Sequence, residues 1–320
     1  MIPADTYGQS DKPDPVLDAH LVLKHARTHL PSVSAVTAVD ESGGEARAYF
    51  IDDGYVFKTQ RPHRLRPRTS LAKEVFFLTQ LEQVAPELSV PRVLGYCQDG
   101  DLEYILMTRM AGVALRVARP EGDARREVLV ALGRSLRRVH SLPIAPFDDS
   151  GLFPGDADSD AVRARLVDGL SQVAEVVAAQ DAAAWPLRVA PQALAERALA
   201  PLGDGLPRVA LHSNPGPEHV YVDPDRFAFR GLIDFGDAYV SHPAFDLRRW
   251  TAPDDRAALM RGYASEAPLS AGFEAAWLVV ALGGVLAAIA GVGPGGNRPE
   301  RREAALRDLP GLAAELLEGA

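Results

Sequence analysis

The chain of 320 residues carries 43 acidic and 34 basic side chains, a net charge of −9, and its 47% hydrophobic content is enough to bury the cores of two lobes. The single cysteine, Cys97, excludes an internal disulfide and a cysteine-based zinc cage, and it predicts a reducing compartment such as the cytoplasm. Residues 151–320 hold 23 Asp and Glu against 15 Lys and Arg, which disfavours nucleic acid as a partner and suits either a cationic small molecule or an ordinary soluble surface.

The first 110 residues predict a β-rich lobe with one helix. Met1–Asp18 mixes charges with prolines and lacks the apolar run of a signal peptide, so secretion is not expected. Ser70 can cap a helix in which Leu71, Val75 and Leu78 share one face. The runs with strand character are 36–39, 46–51, 55–58, 93–96 and 104–107.

Residues 111–320 predict a mainly helical lobe. Helical spacing of apolar residues covers Glu127–His140 and Asp160–Ala179, and a short strand pair at 220–222 and 232–233 interrupts the helices. The segment Ala275–Gly296 has no charged residue and the length of a membrane span. Its many Gly and Ala residues favour a buried helix instead, so no membrane partner is expected.

A series of motifs follows in the second half. His212-Ser213-Asn214 is followed by His219, then by Asp234-Phe235-Gly236 22 residues after His212, and then by Asp246 in a Pro-x-x-Asp turn. This order and spacing resemble the aminoglycoside phosphotransferase and choline kinase superfamily. The resemblance implies an α+β, bilobal protein-kinase-like fold, with a small antiparallel-sheet lobe at 1–110 and a large, mainly helical lobe at 111–320.

The resemblance also implies a nucleotide site for ATP or GTP between the lobes. Lys58 corresponds to the lysine that grips the α and β phosphates, and Glu74 to its ion-pair partner. Backbone groups of the predicted hinge would contact the purine, and amides of a glycine turn could approach phosphates. The hinge residues are Thr108, Arg109 and Met110, and the glycines are Gly43 and Gly44. The loop that follows Lys58 is either a basic patch that steers a nucleotide or a phosphorylated substrate, or an ordinary solvated loop. Its basic residues are Arg61, His63, Arg64, Arg66 and Arg68.

A divalent metal is implied by two side chains. Asp234, which directly follows a predicted buried strand, would present a carboxylate to an Mg²⁺ ion that bridges the β and γ phosphates. His219 stands at the second metal position, where macrolide phosphotransferases are similar in having His. An imidazole ligand would be tolerated better by Mn²⁺ than by Mg²⁺, and the alternative is a loop histidine bonded to backbone. His212 and Asp246 would support the loop.

Asn214 departs from the family pattern, because Asp is the usual residue there and serves as general base. An amide accepts a hydrogen bond but cannot accept the proton of a substrate hydroxyl. A neighbouring carboxylate, Glu218 or Asp237, could replace that base, or an inactivating Asp-to-Asn change could have occurred.

The expected function is a small-molecule O-phosphotransferase that moves the γ-phosphate of ATP or GTP to a substrate hydroxyl. The alternatives are a nucleotide-binding pseudokinase, favoured by Asn214, and a structural protein without nucleotide.

Overall fold

The computed structural model describes residues 14–64, 69–100, 102–180, 185–270, 272–292 and 298–318, and it has the α+β bilobal architecture predicted from the sequence. The amino-terminal lobe is built on a five-stranded antiparallel sheet in the order β1-β2-β3-β5-β4. In chain order its elements are α1 (Ala19–Arg27), β1 (Val36–Asp40), β2 (Ala46–Ile51), β3 (Tyr55–Gln60), α2 (Leu71–Val84), β4 (Val93–Asp99) and β5 (Leu102–Thr108).

The two faces of this sheet have different partners. On the outer face, Tyr49, Phe57 and Tyr104 form a small hydrophobic cluster with Val22 and Ala26 of α1. Because successive side chains of a strand point to opposite faces, Lys58 lies on the face opposite to Phe57. The sheet therefore directs Lys58 towards the cleft between the lobes.

The carboxy-terminal lobe is mainly helical. Its short strands form a three-stranded sheet, β6-β8-β9, and a two-stranded sheet, β10-β7. The elements are β6 (Val113–Ala114), α3 (Leu115–Ala118), α4 (Gly122–Val139), α5 (Ala145–Ser150), α6 (Ser159–Ala178), α7 (Pro191–Leu199), β7 (Val209–Leu211), β8 (Val220–Val222), β9 (Phe229–Leu232), β10 (Tyr239–Ser241), α8 (Ala244–Leu247), α9 (Pro253–Glu266), α10 (Phe273–Ala290) and α11 (Pro299–Glu318).

Helices α4 and α9 cross with their backbones in contact. A Cβ atom added at Gly133 would lie 2.1 Å from the carbonyl oxygen of Leu259, and one added at Gly262 would lie 1.9 Å from that of Val130. No side chain fits at either position, so this crossing requires glycine on both helices.

Helix α10 is the one helix in the described part of the chain that is long and apolar enough to cross a membrane. Of its 18-residue window, 56% is buried inside the protein, where the helix packs against α6, α7, α8 and α11.

The helix α2 joins the two lobes. Its residues Phe77, Leu78 and Leu81 belong to the same hydrophobic core as Leu129 and Leu132 of α4. The main core is therefore continuous across the cleft, and α2 packs both against β4 and β5 of its own lobe and against the large lobe.

Hydrogen bonds to backbone carbonyls strengthen this attachment. The amide of Ser70, at the start of α2, donates to the carbonyl of Gly236 at 3.2 Å, and Lys73 Nζ donates to the carbonyl of Ala238 at 2.9 Å. The carbonyl of Ser89 accepts from the amide of Leu232 at 3.1 Å. Both ends of the Asp234 segment are thus bonded to the amino-terminal lobe.

Candidate active site

Lys58 is the centre of an ion-pair triad. Its Nζ atom lies 2.7 Å from Glu74 Oε2 and 2.7 Å from Asp234 Oδ1. The Lys58 side chain is 14% exposed, that of Glu74 is 1% exposed, and that of Asp234 is 40% exposed. Strand β3, helix α2 and the segment after β9 therefore converge on one ammonium group, with Asp234 on the open side of the cleft.

The charges of the triad shift one another's ionisation. Burial alone would lower the pKa of Lys58, but Asp234 and Glu74 outweigh it and raise the pKa. Burial raises the pKa of Glu74 in spite of Lys58. Burial also opposes ionisation of Asp234, yet Lys58 and His219 hold the pKa of that carboxyl well below its usual range. At neutral pH the site therefore holds a charged lysine beside a carboxylate that is ready to bind a cation.

Local backbone geometry aims the Asp234 side chain. Asp234 has a φ of +73°, a left-handed conformation that is costly for a residue with a Cβ atom. The next residue, Phe235, is fully buried, with its ring centroid 4.9 Å from that of Phe77 and 4.4 Å from that of His212. The buried ring anchors the turn and leaves the carboxylate of Asp234 in the cleft.

His219 faces the same carboxylate. Its Nε2 atom is 3.2 Å from Asp234 Oδ2, and its Nδ1 atom is 2.8 Å from the carbonyl oxygen of Asn214. Since a carbonyl can only accept, Nδ1 carries a proton and Nε2 is the atom directed at Asp234. This is the backbone-bonded histidine that the sequence left as an alternative, in an arrangement that also orients metal-binding histidines.

This donor pair fits a divalent metal held partly by a nucleotide. Asp234 supplies carboxylate oxygen and His219 an imidazole nitrogen, and no group of three or more His, Cys, Asp and Glu side chains in the described ranges is placed to hold a metal ion by itself. Mg²⁺ is commonly bound by one or two carboxylates together with phosphates and water, so two protein donors are sufficient. The nitrogen donor suits Mn²⁺ better than Mg²⁺.

The segment from His212 to His219, called the 212–219 loop, is stabilised by hydrogen bonds to Asp246. This fully buried carboxylate accepts the amides of His212 at 2.8 Å and Ser213 at 2.6 Å. It also lies 2.9 Å from His140 Nε2, and His140 Nδ1 lies 2.9 Å from the Tyr263 hydroxyl. His140 and Tyr263 have no motif in the sequence, and only the fold brings them to the loop.

The loop also contains strain. Ser213 has a φ of +79°, in the left-handed region that favours glycine, and it is buried. Burial lowers the pKa of His212 to about 4, so its imidazole is neutral at physiological pH. A neutral ring packed on Phe235 supports the loop rather than moving protons, which is the role expected for His212 from the sequence.

Asn214 and the two carboxylates that could replace its missing base, Glu218 and Asp237, each have a different hydrogen-bond or ion-pair partner. The carbonyl of Asn214 accepts from His219 and, at 2.8 Å, from the amide of Gly216. Glu218 is exposed and pairs with Arg249 at 3.2 Å. Asp237 is buried and accepts a hydrogen bond from Thr69 Oγ1. Each carboxylate is thus engaged by a partner of its own.

The predicted hinge continues the sheet. The amide of Thr108 donates to the carbonyl of Arg92 at 2.9 Å, and the amide of Arg109 donates to that of Gly54 at 2.7 Å. The Arg109 guanidinium lies 4.6 Å from the centroid of the Phe50 ring. Because the first two hinge amides are occupied, a purine would have to find its backbone donor at Met110 or beyond.

The glycine turn and the arginine loop lie at the other end of the sheet. Gly43 and Gly44 lie in the turn between β1 and β2, and a Cβ at Gly44 would meet nothing within 4 Å, so the turn is open. Arg61 is buried 3.5 Å from Asp14, and Arg64 is exposed. The side chain of His63, and Arg66 and Arg68 altogether, lie outside the described residues.

Two further arginines contact the 212–219 loop. Arg248 Nη2 is 3.4 Å from the carbonyl oxygen of Ser213, and Arg249 pairs with Glu218 beside Gly216. The signal for them in the sequence is a pair of cations that begins two residues after Asp246 of the Pro-x-x-Asp turn, in an otherwise acidic half of the chain.

Comparison with known proteins agrees with this geometry. A sequence model described as "Phosphotransferase enzyme family" matches residues 36–261. An aminoglycoside 3'-phosphotransferase of Streptomyces ribosidificus is 33% identical over 152 residues, which are 47% of this chain and 53% of that protein. The chain thus aligns with about half the length of this curated relative.

Solved structures with the same fold include two antibiotic phosphotransferases. The GDP complex of wild-type aminoglycoside 2'-phosphotransferase-IIIa has a TM-score of 0.61 at 16% identity, covering 93% of this chain and 99% of that one. Macrolide 2'-phosphotransferase type I has a TM-score of 0.55 at 17% identity, covering 92% and 98%. At these identities the likeness to the solved structures concerns the fold alone. The family model, in contrast, matches most of both lobes, and this chain therefore belongs to the phosphotransferase enzyme family.

Proposed function

We propose that this protein is a small-molecule O-phosphotransferase that moves the γ-phosphate of ATP or GTP to a substrate hydroxyl. The observation that carries the proposal is the contact of Lys58 Nζ with Glu74 and Asp234, both at 2.7 Å, with His219 on the other oxygen of Asp234. Phosphoryl transfer depends mainly on positioning and charge neutralisation, and this cluster supplies both.

Each residue has a task in this proposal. Lys58 binds phosphate oxygens when a nucleotide enters, and Glu74 keeps the ammonium group in the cleft because that carboxylate is almost fully buried. Asp234 and His219 would hold Mg²⁺ or Mn²⁺, which would neutralise charge on the β and γ phosphates. Asn214 can hydrogen-bond an acceptor or a phosphate oxygen but cannot take a proton.

Thermal unfolding with nucleotide and metal tests the proposal. ATP or GTP with Mg²⁺ or Mn²⁺ should stabilise the protein by about 3 kcal/mol at a nucleotide concentration 100 times the Kd. Asp234→Asn should remove the dependence on metal, and Lys58→Met should weaken nucleotide binding with either metal. The proposal fails if no combination of nucleotide and metal raises the melting temperature of the wild-type protein.

A second candidate function is a nucleotide-binding protein that transfers nothing, and Asn214 favours it. Restoring a general base typically changes a rate by about 10² to 10⁴. If Asn214→Asp gains phosphoryl transfer to a hydroxyl compound that the wild type leaves untouched, the protein is a degenerate kinase. Wild-type turnover that is abolished by Glu218→Gln would instead identify Glu218 as the base.

The proposed location is the reducing cytoplasm, on the basis of the single Cys97.

A further inference from the structure

The cleft face of the amino-terminal sheet carries an aromatic ring near the hinge. Lys58 of β3 pairs with Ala48 of β2. Two residues nearer the hinge, Val56 pairs with Phe50. Because residues two apart in a strand share a face, Phe50 lies on the Lys58 side of the sheet, about 7 Å further along the strand. A nucleotide that has its phosphates at Lys58 would place its base here, against Phe50.

Arg109 covers this ring from the hinge. Its backbone continues the β3–β5 ladder, since the Arg109 amide donates to the carbonyl of Gly54 at 2.7 Å. Alternation along the strand puts the Arg109 side chain on the same face as Met107, which pairs with Val56. The guanidinium lies 4.6 Å from the centroid of the Phe50 ring, within the range of a cation–π contact. Phe50 thus holds the guanidinium in the part of the cleft where the base would lie.

Tyr221 of the carboxy-terminal lobe faces the same region. Its two neighbours in β8 are buried, so alternation turns Tyr221 towards the other, half-buried side of this strand. Burial raises the pKa of Tyr221, and the nearby carboxylate of Asp40, at the end of β1, raises it further. The charges of Arg109 and Arg116 act in the opposite direction. Arg109 is therefore close to both lobes, with Phe50 in one and Tyr221 in the other.

The Arg109 guanidinium has hydrogen-bond donors to spare. The side chain is exposed, and no carboxylate in the described part of the chain forms an ion pair with it. Asp40, whose charge also reaches Tyr221, accepts a hydrogen bond from the amide of Ser42 at 2.8 Å. A guanidinium presents five N–H donors and no acceptor. A base that meets Arg109 therefore has to offer it an acceptor.

The two purines differ in this respect at position 6 of the ring. Guanine has the acceptor O6 there, whereas adenine has the amino group N6, which donates. Hinge carbonyls can accept from either base, because adenine N6 and guanine N2 are both donors. The amides of Thr108 and Arg109 are bonded within the sheet, so the Arg109 side chain supplies the donors that the backbone lacks at this point.

We propose that Arg109 selects guanine by donating to O6 of a base bound against Phe50, so that GTP is the phosphoryl donor. This rests on the proposed phosphotransferase function and decides between the two nucleotides that it allows. Pairing with guanine is the commonest specific contact of arginine with a base, and it discriminates by about tenfold or more. Adenine in the same place would set the N6 donor against the donors of Arg109.

The test is calorimetric titration of the wild-type protein with GDP, inosine diphosphate (IDP) and ADP in the presence of Mg²⁺ or Mn²⁺. The base of IDP has O6 but lacks the N2 amino group of guanine. We expect GDP and IDP to bind at least about tenfold more tightly than ADP. If none of the three binds, the nucleotide site is refuted, and with it the phosphotransferase proposal.

Two other outcomes refute the role of Arg109 and leave the phosphotransferase proposal intact. One is that ADP binds as tightly as GDP. The other is that IDP binds as weakly as ADP, because guanine would then be recognised through N2 instead of O6.

Matched variants assign the preference to one side chain. Arg109→Gln should weaken GDP and IDP by at least about tenfold and leave ADP almost unchanged, because an amide can donate to O6 or accept from N6. Arg109→Lys keeps a cation with donors alone and should retain part of the preference. Arg116→Gln removes an equal charge from the surroundings of Tyr221, and it should leave the ratio of GDP to ADP affinity as in the wild type.

Melting temperatures without nucleotide show whether each variant is folded. The guanine proposal is overturned if Arg109→Gln keeps the wild-type ratio of GDP to ADP affinity. It is equally overturned if Arg116→Gln changes that ratio as strongly as Arg109→Gln does, since the preference would then follow the overall charge of the cleft.

Discussion

Removing Lys58 should destabilise the protein mainly through Glu74. In Lys58→Met, the carboxylate of Glu74 stays 1% exposed and loses the cation that lies 2.7 Å away. An uncompensated buried charge of this kind typically costs about 3 to 5 kcal/mol. The same substitution costs little at Asp234, because that side chain is 40% exposed and water can solvate it. We therefore expect a loss of about 3 kcal/mol in the free energy of unfolding, at the lower end of that range.

A double-mutant cycle separates the two partners. Lys58→Met combined with Glu74→Gln should recover part of the lost stability, because a neutral amide can stay in the buried position without its cation. Lys58→Met combined with Asp234→Asn should be about as unstable as Lys58→Met alone. Denaturant unfolding, followed through the fluorescence of the buried Trp250 and Trp277, measures the wild type, the three single variants and the two double variants.

The reasoning is refuted if Lys58→Met loses less than about 1 kcal/mol, the value of an exposed ion pair. It is also refuted if Glu74→Gln makes the Lys58→Met protein less stable. Either result would mean that the Glu74 carboxylate is solvated, and that the burial of this end of the triad does not determine its energetics.

Three other changes test features outside the triad. Ser213→Gly should raise the free energy of unfolding by about 1 kcal/mol, measured by denaturant unfolding, because glycine removes the cost of the left-handed backbone. Gly133→Ala should lower the free energy of unfolding by about 1 to 3 kcal/mol, since the new methyl group would meet the backbone of α9. An unchanged melting temperature would contradict the close crossing of the two helices. His242 is fully buried and its pKa is lowered to about 4, chiefly by burial. Its unfolded-state pKa is higher, so the wild type should lose about 3 kcal/mol between pH 6.5 and pH 4 that His242→Asn does not lose, as measured by unfolding over that pH range.

The lobes and the motif order could be predicted because they depend on local patterns. β-prone runs bounded by turn residues located β2 and β3, and the spacing from His212 through Asp234 to Asp246 indicated the kinase-like arrangement that the structure shows. Helix α1 was not predicted, because it is short and its buried residues Val22 and Ala26 give a narrow apolar stripe.

Other features depend on tertiary structure and leave no local signal. The crossing of α4 and α9 pairs Gly133 with Gly262, which are 129 residues apart, and a single glycine within a helix does not reveal its partner. The contact of Arg249 with Glu218 likewise depends on how α8 packs under the loop.

The attachment of α2 to the large lobe bears on how this protein can be controlled. Many enzymes of this architecture are switched by swinging the corresponding helix, which breaks its ion pair with the lysine. Here Ser70 and Lys73 are bonded to the segment after Asp234, and the apolar side of α2 is part of the main core. Displacing the helix would mean disrupting the interior of the molecule. In the proposed phosphotransferase, the Lys58–Glu74 pair should accordingly stay assembled, and we expect no switch through a movement of this helix.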